Sequence, residues 1–294
     1  MKPQKKRRAL EEHLIEKIKE SGYPLEIEIS NLLDEKSYVV FNTQYYFDEE
    51  SKQGRDIDIY AMPIEFLPLE EKLAPFHLGT EVAIECKKSE THAWVFYTRP
   101  HIPMSWIYMS GQYRTSVPKP KMDSTKSFES LLKYECFSLH YDQFERVAIA
   151  YDEIKKEKTG SSRREIFEAV NQLVKFTCYE IHQTFSRTSK LPKTSPDREF
   201  IMVFFPIIVF DGDMYEVTFD SKEPRPKRKN HILLKTHYRS PYSQEVESFT
   251  VDVVHRSYFP EFVEVLRSDF YRIRERILQN HDELVKACRE TYKS

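Results

Sequence analysis

Asp58, Glu85 and Lys87 are the residues whose types and spacing could do chemistry. They sit in two short runs, Arg55-Asp56-Ile57-Asp58-Ile59-Tyr60-Ala61 and Glu81-Val82-Ala83-Ile84-Glu85-Cys86-Lys87-Lys88. Each run reads as a β-strand, with β-branched and apolar residues between charges. Side chains alternate faces along a strand, so Glu85 and Lys87 share a face while Val82, Ile84 and Cys86 take the other. Asp56 and Asp58 likewise oppose Ile57 and Ile59. A hairpin across the 63–80 loop would bring an Asp, a Glu and a Lys together. Two carboxylates so placed can chelate a hard cation such as Mg²⁺, with Mn²⁺ as a substitute. The cation would polarise a phosphoryl oxygen and activate a water, and a lysine would orient that water. The chemistry is metal-assisted phosphodiester hydrolysis. The competing reading is an edge strand with a solvated salt-bridge face, because 31% of the chain is charged and Glu-x-Lys recurs by chance.

The stretch Gly22 to Val95 resembles the PD-(D/E)xK, or restriction-endonuclease-like, nuclease superfamily. The matching pieces are a helix at Leu25-Glu26-Ile27-Glu28-Ile29, an extended run Tyr38–Phe47, then Arg55-Asp56-Ile57-Asp58-Ile59 and Ile84-Glu85-Cys86-Lys87-Lys88. The resemblance covers about 75 residues and lacks the proline before Asp58, which the family often lacks too. It implies Asp58 and Glu85 as metal ligands with help from the Cys86 carbonyl, Lys87 as the motif lysine, and a helix glutamate lining the site. Glu26 is the first choice for that glutamate, with Glu28 left open. The rest of the chain is similar only to proteins carrying such a core, some of them in prokaryotic defence systems.

The fold that follows is α/β: a restriction-endonuclease-like mixed sheet flanked by helices, with a large insertion and a C-terminal β/α extension. One domain is expected over 1–294, with a core of 22–98 plus 162–210, an insertion at 99–161 and an extension at 211–294. Ile166, Ala169, Val170, Leu173, Val174 and Ile181 recur at helical spacing, so 162–186 is the expected crossover helix. The apolar run Phe200–Phe210 is the expected parallel strand, buried on both faces and bent or ended at Pro206. A right-handed crossover would return it to the sheet. Gln172 on that helix is a candidate auxiliary polar residue. Asp211-Gly212 reads as a hairpin turn into Met214–Phe219. A helix over 9–21, a short one over 128–134, and strands over 232–238 and 249–254 complete the reading, with a terminal amphipathic helix over 259–277.

Several classes are disfavoured. The six glycines form neither GxGxxG nor a Walker A loop, and HExxH and GxSxG are missing. Four scattered cysteines give no zinc or disulfide framework, and are expected to be reduced and buried. With no apolar run of membrane-spanning length, no membrane partner and a cytoplasmic location are expected. The net charge of −2 means that any nucleic-acid contact must come from local patches. The strongest is the proline-broken loop around Arg225, Lys227, Arg228 and Lys229, a candidate phosphate clamp. Lys119, Lys121 and Lys126 form a weaker one. The expected activity is a DNA endonuclease, with RNA cleavage or a non-catalytic nucleic-acid-binding module as alternatives. A homodimer is expected only by analogy with nucleases that cut both strands.

Overall fold

The computed structural model describes residues 3–64, 76–101, 111–115, 139–157, 161–162, 164–190, 199–219, 223–243, 245–283 and 285. The chain begins with helices α1 (Pro3–Glu20) and α2 (Tyr23–Glu35), followed by strands β1 (Tyr38–Asp48), β2 (Gln53–Pro63) and β3 (Phe76–Pro100). The short β4 (Tyr113–Thr115), a 3₁₀ turn (His140–Gln143), β5 (Arg146–Lys155) and β6 (Ser161–Ser162) precede the long helix α3 (Arg164–Ser189). β7 (Glu199–Thr218), β8 (Arg225–Arg228), β9 (His231–Arg239) and β10 (Val246–His255) lead through a second 3₁₀ turn (Arg256–Tyr258) to α4 (Phe259–Gln279).

All ten strands join one mixed sheet, in the order β1-β2-β3-β5-β9-β10-β7-β4, with β6 and β8 at its margins and a further β3–β7 pairing. β1, β2 and β3 run antiparallel in turn. β7 then lies parallel to β3 over most of its length, from Phe76↔Glu199 to Tyr97↔Val217. The crossover helix is α3. The segments expected as insertion and extension contribute β4, β5 and β8 to β10 to the same sheet.

The alternating pattern of β7 explains its central place. Val203, Phe205, Ile207 and Val209 pack into a core shared with α2 and α4, while Ile208 and Phe210 pack into the core under α3. Both faces are therefore covered, as a continuous apolar run requires. At order-of-magnitude level, truncating one such side chain to Ala costs about 2–5 kcal/mol.

Several local expectations are corrected. The strand neither bends away nor ends at Pro206. That proline falls between the pairing with β4, which reaches Val203, and the pairing with β10, which starts at Ile207, so its missing N–H breaks neither ladder. Asp211-Gly212 is not a hairpin turn: β7 runs through it to Thr218. The register with β3 shifts here between Ser89 and Ala93, and Gly212 meets the bulge; a Cβ on it would lie 2.7 Å from the Ser89 carbonyl oxygen. Trp94–Tyr97 lies near the C-terminal end of β3, with Trp94 stacked on Phe210 at 3.9 Å between ring centroids. The basic loop contains strand β8, paired antiparallel to Tyr215–Thr218. Cys86 and Cys178 are buried. Cys136, Cys288, the 119–126 lysines and the short helix expected at 128–134 lie outside the described residues. Among the described residues no helix is long and apolar enough to cross a membrane.

Candidate active site

β2 and β3 pair over only three residues, Ile59–Ala61 against Val82–Ile84, and that edge of β3 next meets a described strand at His92. Between them the two strands part, and the fork holds the three sequence-predicted groups. The register, continued one step, sets Asp58 opposite Glu85. Glu85 alternates with Ile84 and Cys86, which pack into the core shared with α2 and α4. On β2, Ile59 packs into that same core but Ile57 into the core under α3, so the regular alternation expected for this run breaks at Asp58.

The Glu85 side chain is fully buried; Lys87 and Asp58 are about one-quarter exposed. Lys87 Nζ donates to Glu85 Oε2 at 2.5 Å and lies 3.8 Å from Asp58 Oδ2. Asp58 Oδ2 also accepts the Cys86 N–H at 2.8 Å. A residue's N–H and C=O point to the same edge of a strand, so the Cys86 carbonyl is directed into the fork as well. Glu85 Oε1 is buried with no hydrogen-bond partner.

Burial pushes the Glu85 carboxyl up to about 8, with the Lys87 ammonium pulling the other way. Burial lowers Lys87, but Glu85 and Asp58 outweigh it and hold the ammonium protonated. A buried carboxylate with one unpartnered oxygen carries a desolvation cost that a cation would remove. The oxygen donors present — Asp58, Glu85 Oε1 and the Cys86 carbonyl — fit a hard divalent cation.

The helix glutamate is distinguished by its neighbours. Glu26 is half-buried; burial and then the charge of Asp58 raise its pKa, and Lys87 opposes this. Glu28 points elsewhere, ion-paired to Arg256, which also bridges to Asp211. Leu25, Ile29 and Leu33 anchor α2 in the core, which fixes Glu26 over the fork.

The other candidates lie apart from the three. Gln172 donates to the main-chain oxygen of Asp56 at 3.2 Å, tying α3 to β2. Its neighbour Lys175 bridges Asp48 and Glu50 at 2.9 and 2.7 Å. Arg225, Lys227 and Arg228 are exposed on β8. Arg228 pairs with Asp213 at 2.9 Å and Lys229 with Glu216 at 3.2 Å, so half of the expected clamp is already neutralised within the protein.

A second cluster has no counterpart in the sequence reading. His140 of the 3₁₀ turn, His231 at the start of β9 and Asp252 of β10 bring their ligand atoms within 4.8 Å of one another. The carboxylates of Asp58, Glu85 and Glu26 do not form so tight a group; Lys87 Nζ stands between Glu85 and Asp58. Burial pulls His140 down, but Asp252 and Asp269 outweigh it and raise it to about 9. Burial lowers His231 against its Asp252 hydrogen bond. No local spacing signals this cluster, because its members come from separate elements. Comparison with protein-family models, curated proteins and solved structures found no match to the chain.

Proposed function

We propose that the chain is a Mg²⁺-dependent phosphodiesterase acting on nucleic acid, with DNA as the substrate and endonucleolytic cleavage as the reaction. The observation that carries this reading is the convergence of Asp58, Glu85, Lys87 and Glu26 in the fork, with one buried Glu85 oxygen left without a partner. The element order adds support. A helix, three antiparallel strands, a crossover helix and a parallel strand is the order that the PD-(D/E)xK resemblance implies, with the carboxylates and the lysine on the second and third strands.

In this reading Asp58, Glu85 Oε1 and the Cys86 carbonyl hold the cation. When bound, Mg²⁺ polarises a phosphoryl oxygen and lowers the pKa of a water. Lys87 Nζ, released from Glu85, orients the attacking water and offsets charge developing on the phosphate. Glu26 sits within electrostatic reach of Asp58 and Lys87 and adds negative charge at the mouth of the site. Leu25, Ile59 and Ile84 belong to one buried core that anchors α2, β2 and β3 beside the site.

The test is cleavage of supercoiled plasmid, linear duplex, single-stranded DNA and RNA with Mg²⁺ or Mn²⁺. Asp58→Asn, Glu85→Gln and Lys87→Ala should each abolish product formation while leaving circular dichroism unchanged. Cleavage that survives Lys87→Ala would overturn the assignment. A folded wild type without cleavage, whose salt-dependent DNA binding ignores Asp58→Asn, would mark a non-catalytic binding module instead.

A further inference from the structure

His140 and His231 aim the same ring atom at the same carboxylate oxygen. His140 Nε2 lies 2.9 Å and His231 Nε2 2.7 Å from Asp252 Oδ1. The other nitrogen of His140, Nδ1, is 2.5 Å from Asp269 Oδ2 on α4, and the His140 backbone N–H also donates to Asp269. Tyr141 Oη donates to the second Asp252 oxygen at 3.1 Å. His140, Asp252 and Asp269 are buried, and His231 is nearly so, with 11% of its side chain exposed. Phe144, Tyr258 and Phe262 pack around His231.

We propose that His140, His231 and Asp252 form a second cation site, taking Zn²⁺ or a similar first-row transition ion and separate from the Asp58–Glu85 fork. Three features carry it. Two imidazole nitrogens and a carboxylate oxygen converge, a donor set that suits Zn²⁺, Co²⁺, Ni²⁺ or Fe²⁺ and not Mg²⁺. His140 keeps Nδ1–H on the Asp269 carboxylate, the outer-shell contact that orients a metal-ligating histidine and fixes its tautomer. The charges also balance: Asp252 and Asp269 put two buried negatives beside two imidazoles, and a dication neutralises both. Arg272, which is partly exposed, reaches only the far side of Asp269, at 3.5 Å. Binding leaves both Nε2 atoms unprotonated: His140 stays protonated at Nδ1, and the His231 proton sits on Nδ1 or goes to solvent. The ligands and Asp269 come from the 3₁₀ turn, β9, β10 and α4, so the ion would cross-link four elements and its role would be structural.

The experiment uses the full chain, purified without a polyhistidine tag, stripped with chelator and titrated with Co²⁺ and then Zn²⁺. The expected result is the visible absorption of tetrahedral Co²⁺ saturating near one ion per chain, bleached by Zn²⁺, with Tm rising as Zn²⁺ is added. His231→Gln and Asp252→Asn should lose the signal at least tenfold in affinity, whereas Asp58→Asn should keep it. If one ligand variant fails to fold, the other decides, and Asp58→Asn serves to show that the fork does not hold the ion. No stoichiometric Co²⁺ or Zn²⁺ binding by a folded chain would overturn the proposal and leave an imidazolium clamped by two carboxylates. Binding undiminished in both ligand variants would overturn it equally.

Discussion

Lys87 holds a position that two roles contest. With Nζ 2.5 Å from Glu85 and 3.8 Å from Asp58, it neutralises the carboxylates that a cation would neutralise. Removing it should separate binding from chemistry. Lys87→Gln should bind Mn²⁺ at least as tightly as the wild type, because a competing positive charge is gone. It should still lose cleavage by about 10²–10³-fold, the usual cost of deleting one group that stabilises developing charge. Calorimetric titration and a cleavage assay on one preparation check this; weaker Mn²⁺ binding would reduce Lys87 to a structural partner of Glu85. Glu81, four residues earlier on β3, gives a pH prediction. Burial pushes its carboxyl up to about 7, against a hydrogen bond with Tyr60. Its folded-state pKa therefore lies above its unfolded value, and between the two the folded chain holds a proton that the unfolded chain has lost. The stability from this group is fully present below about pH 4.5 and falls as pH rises to about 7. Glu81→Gln should flatten that fall: melts without divalent cation at about pH 5 and about pH 8 should differ by roughly 2–4 °C less than in the wild type. Parallel curves would show that Glu81 does not titrate in this range. The sequence made Asp58, Glu85 and Lys87 legible because strand alternation is local. It could not separate Glu26 from Glu28, since that choice depends on Arg256, more than two hundred residues away, drawing Glu28 aside.

At the scale of elements, the long strands β3 and β7 set the site, and their parallel register passes through Glu85↔Ile208 and Lys87↔Phe210. β7 was visible in the sequence as an apolar run, the Glu81–Lys88 part of β3 as an alternating strand, and α3 as a helical stripe. Their lengths were not, because proline and glycine are read as punctuation when only local signals are available. Pro206 survives inside β7 because of where the neighbouring strands begin and end, a tertiary fact. Gly212 is read as a turn but serves as the close approach opposite the β3 bulge. The consequence is testable. In Gly212→Ala the added methyl would lie 2.5 Å from the Phe210 ring and 2.7 Å from the Ser89 oxygen. We expect a loss of about 1–3 kcal/mol by chemical denaturation, the usual cost of overpacking. Cleavage should fall further than stability explains, because Ser89 is two residues from Lys87 and must shift. Gly79→Ala on the same strand pair is the control: its nearest obstacles are the Glu81 and Met202 side chains at 3.3 and 3.5 Å, so it should cost less. Equal costs at the two positions would remove the special role of the bulge.

Across the whole molecule, the basic strand β8 and the fork lie on one sheet but not side by side. Glu85 pairs with Ile208, whereas Arg228 pairs with Tyr215 and Arg225 with Thr218, seven and ten residues further along β7. At about 3.3 Å per residue that is at most roughly 23–33 Å, the reach of about 7–10 nucleotides along one strand. The patch would then touch backbone flanking the cut and not the scissile phosphate. Its four cations are also unequal. Arg228 and Lys229 are held by Asp213 and Glu216, while Arg225 and Lys227 form no ion pair with a described residue. Only an unpaired cation releases a full counterion when it meets a phosphate. Arg225→Gln with Lys227→Gln should therefore lower the log–log salt slope of duplex binding by about 2, since each phosphate neutralised contributes roughly 0.9. Arg228→Gln with Lys229→Gln should change it by less. KM for long duplex should rise in the first pair, with the single-turnover rate at saturating DNA unchanged, because these residues position and do not touch the reacting atoms. The difference should vanish on substrates with fewer than about 7 nucleotides on that flank. A salt slope equal to wild type in the Arg225, Lys227 variant would show that the strand is solvated and that the phosphates are held elsewhere.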